Sequence, residues 1–286
     1  MTPRLKTSRP NSATSKVEID QNYLRDVVAK LAFPRAVNTA ANTKAREIVV
    51  AEFDKLPGER PVVIGAQKNV YQGRPDTATI LLGAHYDSVP GSPGADDNAS
   101  AVAVMLAVAR ALAGHANAIF VAFNSEEQGL AGSREFAAQL PQLRMKLEGV
   151  YILEMVGYRD RRANSQKNPL PFLHEVPTTG DFLGVVANDD ALLDKILVGA
   201  ATCSVPFVGL SMPEAMRNVA VVQQVSPHLL RSDHTAFWEK GIAAAMLTDT
   251  AEFRNPHYHR ASDTPETLDY AFMAEIAKAI VSVMLA

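Results

Sequence analysis

The chain has 286 residues, 47% of them hydrophobic and 21% charged, which is the composition of an ordinary globular domain with a sizeable core. A net charge of −3 and a pI near 6.2 argue against a nucleic-acid partner or an anionic membrane surface. Cys203 is the only cysteine, so no intramolecular disulfide can form, and its place in an apolar, helix-like run makes it a buried structural thiol.

Residues 1–16 are polar and basic with no apolar segment, so they read as a disordered tail and not as a secretory signal. No run approaches the ~18 apolar residues of a membrane span. A cytoplasmic protein is therefore expected, or a secreted one if a leader has been removed. Residues 17–286 are expected to form one domain. Two amphipathic helices are predicted over 17–31 and 39–56, separated by Pro34. Strands are predicted over 61–70 and 78–86. The second, in TILLGAHYD, is almost continuously apolar and belongs at the centre of a sheet buried on both faces.

A Gly/Pro turn, SVPGSPGADDN, leads to a helix over 99–113 that is apolar nearly all round and so deeply buried. A strand at 118–124, a helix starting in GLAGSREFAAQL and a strand at 149–157 follow. Residues 158–180 have no clean period, and a loop of that length in a compact domain is usually functional. The stretch 160–169 is expected to fold over a substrate side-chain pocket, with Phe172 or His174 touching the substrate. The remainder alternates: strand 181–187, helix 190–203, strand 206–210, helix 233–240, strand 242–248 and helix 270–285. This order predicts a three-layer α/β fold, a central mixed and mostly parallel sheet with helices on both faces.

In open α/β sheets, ligands bind beyond the carboxyl ends of the strands. Those ends deliver His85 and Asp87, then Glu126 and Glu127, then Glu154, then Asp249 followed by His257 and His259, while the loop after 86 carries Asp96 and Asp97. So many carboxylates and imidazoles at one sheet edge would repel without compensation, and divalent cations are the simplest compensation. Mixed His and carboxylate donors without thiolate suit zinc, manganese or cobalt. HExxH, GxSxG, GxGxxG and the Walker A loop are all missing. Ser232-Asp233-His234 is not a triad, because adjacent residues cannot aim their side chains at one another in that relay.

GAHYDS, GADDNAS, FNSEEQGLAGS, SDHTAFWEKGI and NPHYHRASDT, in that order and spacing over residues 80–270, resemble the five signatures of the M28 peptidases, the co-catalytic zinc aminopeptidases. The resemblance implies a zinc-exopeptidase fold and two zinc ions. His85 and Glu154 would bind the first ion, Glu127 and His259 the second, and Asp97 both. The family usually has Asp where this chain has Glu154. Glu126 would be the general base for a water shared by the ions, and Tyr258 the donor to the oxyanion. A cis peptide is expected after Asp97. His85 and Asp87, two apart on an extended segment, face the same side, so Asp87 is expected to orient the imidazole. Asp233 is expected to support the site from behind the ligands. Glu126 and Glu154 would face the α-ammonium of a peptide with a free N-terminus. His259 is favoured over His257 by its spacing to SDT, and His115 and His228 receive no role.

Two other functions fit the same chemistry. A glutaminyl cyclase, with one zinc, resembles this family but usually has DDH and a Trp where Ser232 and Tyr258 stand. A non-catalytic binding module would have lost ligands or the base, whereas Glu126 and all five ligand positions are filled.

Overall fold

The computed structural model describes residues 4–8, 17–112, 117–170, 176–212, 214 and 217–285. A short strand, β1 (Arg4–Thr7), is followed by helices α1 (Gln21–Leu31) and α2 (Ala40–Phe53). Asp20 and Thr39 start these helices, each side chain accepting a first-turn N–H, from Asn22 and Asn42 respectively. Then come β2 (Val62–Ile64), β3 (Asn69–Gln72), β4 (Ile80–His85), α3 (Ala101–Ala111), β5 (Ala118–Phe123), α4 (Ala131–Gln139) and β6 (Gly149–Glu154). Beyond the 158–180 region lie β7 (Leu183–Ala187), α5 (Asp190–Ala200), β8 (Phe207–Ser211), α6 (Val219–Val225), α7 (His234–Trp238), β9 (Ala244–Thr248) and α8 (Tyr270–Leu285).

The strands form one sheet in the order β1-β8-β7-β9-β6-β4-β5-β3-β2. β5, β4, β6 and β9 are adjacent and parallel, so their carboxyl ends share one edge. β3, β7 and β8 run the other way, and β1 and β2 pair antiparallel to β8 and β3. Side chains alternate across the sheet, as the two-residue strand period requires. Leu82, Ala84, Tyr151, Leu153, Ala245 and Leu247 pack with α1, α3, α5 and α8. Leu81, Ile119, Val121, Val150, Ile152 and Met246 pack with Phe136 of α4 and Phe237 of α7. The expected three-layer α/β arrangement, mixed and mostly parallel, is the observed one.

Three expectations are corrected. Residues 4–7 do not belong to a disordered tail: they form β1, with Leu5 opposite Leu210. Ser8 and Phe207 exchange hydrogen bonds at its end. Edge pairing is a backbone property, so a polar, basic sequence does not prevent it. The rest of 1–16 lies outside the described residues. The single strand expected over 61–70 is a hairpin, Val63 facing Val70, turned through Gly65 and Lys68 at φ 76° and 64°. The helices expected from 17 and over 233–240 are shorter, because Asp20 caps α1 and α7 ends at Trp238. No helix among the described residues is long and apolar enough to cross a membrane.

Candidate metal centre

β4 carries His85 to the sheet edge, where the ring is 1% exposed. Its Nδ1 lies 3.2 Å from the Asp87 carbonyl oxygen and 3.5 Å from an Asp87 carboxylate oxygen. The main-chain carbonyl is thus the nearer partner, a refinement of the expected carboxylate contact. The Asp87 carboxylate instead accepts the backbone N–H groups of Glu126 and Glu127, at 3.2 and 3.3 Å. This holds the turn after β5 against the end of β4. With Nδ1 donating to the Asp87 carbonyl, Nε2 of His85 is the ring nitrogen that faces the cleft. It has no hydrogen-bond partner.

The loop 95–100 between β4 and α3 brings Asp97 to the same point, and the Asp97–Asn98 peptide is cis, as the family resemblance implied. Two contacts hold this loop. Asp263 accepts the N–H of Asp96 at 2.8 Å and of Asp97 at 3.1 Å, tying it to the segment that carries His259. The fully buried Arg35 donates to the carbonyls of Tyr86 (2.6 Å), Gly94 (2.8 Å), Leu31 (2.9 Å) and Pro93 (2.5 Å).

The side chains expected as ligands converge. His85 Nε2 lies 3.3 Å from Asp97 Oδ1 and 3.5 Å from Glu154 Oε2. His259 Nε2 lies 3.1 Å from Asp97 Oδ2 and 3.5 Å from Glu127 Oε2. Two groups of three potential ligands result, His85–Asp97–Glu154 and Asp97–Glu127–His259, sharing Asp97 through its two oxygens. Donors about 2.1 Å from a tetrahedral zinc stand about 3.4 Å apart. The observed separations match that spacing. Glu126 belongs to neither group. It lines the same cleft, with Oε2 4.0 Å from His85 Nε2.

The electrostatics call for cations. Burial raises the Glu126 pKa well above the usual carboxylate range, and Glu154, Asp233 and Glu127 add to the rise while His85 opposes it. Burial and Asp97 push Glu127 up to about 7. Burial would lower His85, but Glu154 and Glu126 outweigh it and hold the imidazole well above its ordinary value. Burial opposes ionisation of Asp97 too, yet the two histidines hold it well below the usual range. His85 Nε2 and Glu127 Oε1 are buried atoms without a hydrogen-bond partner, as metal-ligating atoms are when no ion is bound. The donor set therefore fits two zinc ions.

Tyr258 stacks on His259, with ring centroids 3.8 Å apart, and lines the cleft. Burial and then the Asp97 and Glu154 charges raise its pKa, so the hydroxyl keeps its proton. Asp233 is fully buried, near enough to His85 to feel its charge, but it makes no hydrogen bond to any of the five candidate ligands. Its neighbour Ser232 does: the hydroxyl donates to Glu154 Oε2 at 2.7 Å. Ser232 was legible in sequence only as part of SDH, with nothing to say which ligand it would meet. His234 donates to the Leu229 carbonyl and is structural, and His257 bonds Ser262 away from the cluster. Asp96 joins Gly157 N and Asn255 Nδ2, and Asp249 joins Tyr158 N and Ala251 N, so both are structural linkers. Phe172, His174 and His115 lie outside the described residues.

The model of peptidase family M28 matches residues 64–192 and 208–284. The uncharacterized protein YfbL of Escherichia coli (strain K12) is 30% identical over 304 residues, covering 97% of this chain and 90% of that protein. Among solved structures, LapB of Legionella pneumophila superposes with a TM-score of 0.72 at 20% identity, over 93% of this chain and 72% of LapB. A glutaminyl cyclase of Fimbriiglobus ruber superposes with a TM-score of 0.64 at 19% identity, over 96% and 97%. The structural likenesses speak for the fold alone. With the match spanning most of the strands and all five candidate ligands, the chain belongs to peptidase family M28.

Proposed function

We propose that this chain is a zinc-dependent aminopeptidase that removes the N-terminal residue from peptides. The observation that carries this reading is the pair of His–carboxylate donor groups sharing Asp97, with Glu126 beside them and outside both. His85, Asp97 and Glu154 would hold one ion, and Asp97, Glu127 and His259 the other; manganese or cobalt would suit the same donors. Bound there, the ions would polarise the scissile carbonyl and make water acidic enough to attack near neutral pH.

The rest is the work of side chains. Glu126, half-buried and free of either donor group, accepts a proton from the attacking water and later delivers it to the leaving amine. The new bond is carbon to water oxygen, and the bond lost is carbon to amide nitrogen. The Tyr258 hydroxyl, held protonated, donates to the developing oxyanion. Glu126 and Glu154 supply negative charge for the substrate α-ammonium, which restricts the enzyme to free N-termini. Asp87 fixes the turn bearing Glu126 and Glu127, and Asp233 acts on His85 through charge alone.

The test is zinc content per chain together with hydrolysis of aminoacyl-p-nitroanilides by wild type and Glu126→Gln. Two ions in both proteins, with kcat in the variant lower by roughly 10²–10⁴, is the expected result. One ion, no hydrolysis and turnover of an N-terminal Gln peptide would replace this reading with a cyclase.

A further inference from the structure

A second cleft, narrow and mostly apolar, with a volume of about 110 Å³, adjoins the candidate metal centre. Glu154, Arg231 and Tyr258 line both clefts, so the two adjoin. Its floor is the sheet itself. Glu154 of β6 stands beside Thr248 of β9, Thr248 beside Gly184 of β7, and Gly184 beside Val208 of β8. One pleat along, Met246 faces Val186, Val186 faces Leu210, and Leu210 faces Leu5 of β1. All of these residues line the cleft. It is therefore a trough crossing five adjacent strands, about 19 Å at 4.7–4.9 Å per step. Leu170, Val176, Leu229 and Phe253 line it from outside the sheet.

A leucine or phenylalanine side chain covers about one of those four steps. An extended peptide would be long enough, but each residue would bring an N–H and a C=O that need partners. The trough has few to give, His228 Nδ1 being the one buried lining side-chain atom without a hydrogen-bond partner among the described residues. Thr248 Oγ1 already accepts from Thr250 N, Thr250 bonds Gln166, Gln166 accepts from Arg254, and Arg231 pairs with Glu252. A hydrocarbon chain needs no such partners. At about 1.25 Å per carbon in an extended chain, roughly ten to fifteen carbons would fill the length.

We propose that the trough receives a long, unbranched hydrocarbon chain borne by the substrate's N-terminal residue, so that preferred substrates carry an apolar side chain longer than any standard one. This rests on the aminopeptidase reading and names its substrate class. β1 is integral to it, because Leu5 closes the far end. Gly184 keeps the middle of the floor open: the nearest atoms to a Cβ there would be the Thr248 carbonyl oxygen at 3.3 Å and methyl groups of Thr250 and Thr248 at 3.5 and 3.6 Å, so a side chain that enters the trough needs a shift of a few tenths of an ångström.

The test measures kcat/KM on p-nitroanilides of norleucine, 2-aminooctanoic acid and 2-aminododecanoic acid. Each methylene buried from water is worth about fourfold, so a gain of at least tenfold from the shortest to the longest is expected. In Gly184→Leu, and in Val208→Phe should that protein fold poorly, the long-to-short ratio is expected to fall at least tenfold. A ratio is unaffected by a general loss of active protein. A wild-type optimum at norleucine, or ratios unchanged in both variants, would overturn the proposal and leave the aminopeptidase reading standing. If no anilide is hydrolysed, that reading fails. Calorimetry with free 2-aminododecanoic acid and norleucine then decides the trough: at least tenfold tighter binding of the long chain, lost in Gly184→Leu, upholds it, and equal binding refutes it.

Discussion

Replacement of Arg35 by methionine should be among the most damaging single changes outside the cleft. The guanidinium is fully buried and gathers the carbonyls of Leu31, Tyr86, Pro93 and Gly94 into one cradle, with those of Phe33 (3.3 Å) and Asp97 (3.5 Å) at its margin. Its charge also faces Asp97, Asp87, Asp263 and Glu127. Methionine fills similar space but donates nothing, so several buried carbonyls lose their partner at roughly 1–3 kcal/mol each before relaxation. Relaxation and water entry reduce the sum, and breaking a buried charged network typically costs about 3–5 kcal/mol. That is a large share of the ~5–15 kcal/mol that stabilises a domain. Thermal unfolding should shift down by roughly 6–20 °C, at about 2–4 °C per kcal/mol for a chain of this size. Because the same cradle holds the 93–97 loop, zinc affinity measured by chelator competition should fall at least tenfold in whatever fraction remains folded. Arg35→Lys, with a compact ammonium in place of the planar fork, should recover less than half of the lost stability. A loss below about 1 kcal/mol for Arg35→Met would show that the cradle is not what holds this loop.

Ser232→Ala removes the 2.7 Å bond to Glu154 and should weaken zinc binding by about 10–100-fold, the usual consequence of losing a ligand's supporting hydrogen bond; unchanged zinc competition would refute the role. Gly132→Ala places a Cβ 1.9 Å from the Asn124 carbonyl oxygen, where α4 meets the end of β5, and should destabilise by about 1–3 kcal/mol or more in urea denaturation. Glu52, 3% exposed, is opposed by burial, but hydrogen bonds from Lys55 (2.7 Å) and Lys30 (2.9 Å) outweigh it and lower its pKa. A depressed folded pKa means stabilisation that is present above the unfolded value near 4.5 and lost as pH falls through the folded one. Glu52→Gln should therefore cost about 1–2 kcal/mol at pH 7 and less below pH 4; an equal loss at both pH values would contradict it.

The donors of the candidate site were legible because His and carboxylate residues are conspicuous and strand ends are predictable. A near-continuous apolar run followed by His85, and another followed by Glu154, announce parallel central strands that deliver donors to one edge. The pairing of donors could be named only through the family resemblance, since spacing in sequence does not say that Asp97 offers one oxygen to each histidine. The supporting partners were hidden for a different reason. Arg35, Ser232 and Asp263 are common residue types with ordinary local roles, and their contacts span 59, 78 and 167 residues of chain.

The amino-acid sequence by itself determined the layer architecture, because hydrophobic period and length dictate which segments are buried strands and which are helices, and it determined the donor inventory. Only the tertiary structure decided how the sheet ends and what lies on its face. β1 joins β8 through backbone hydrogen bonds that side-chain polarity does not forbid, and the trough arises from strand order, which sets Glu154, Thr248, Gly184 and Val208 in one row. Such rows are products of register between distant segments, and register is fixed by the packing of the whole sheet and by no single stretch of it.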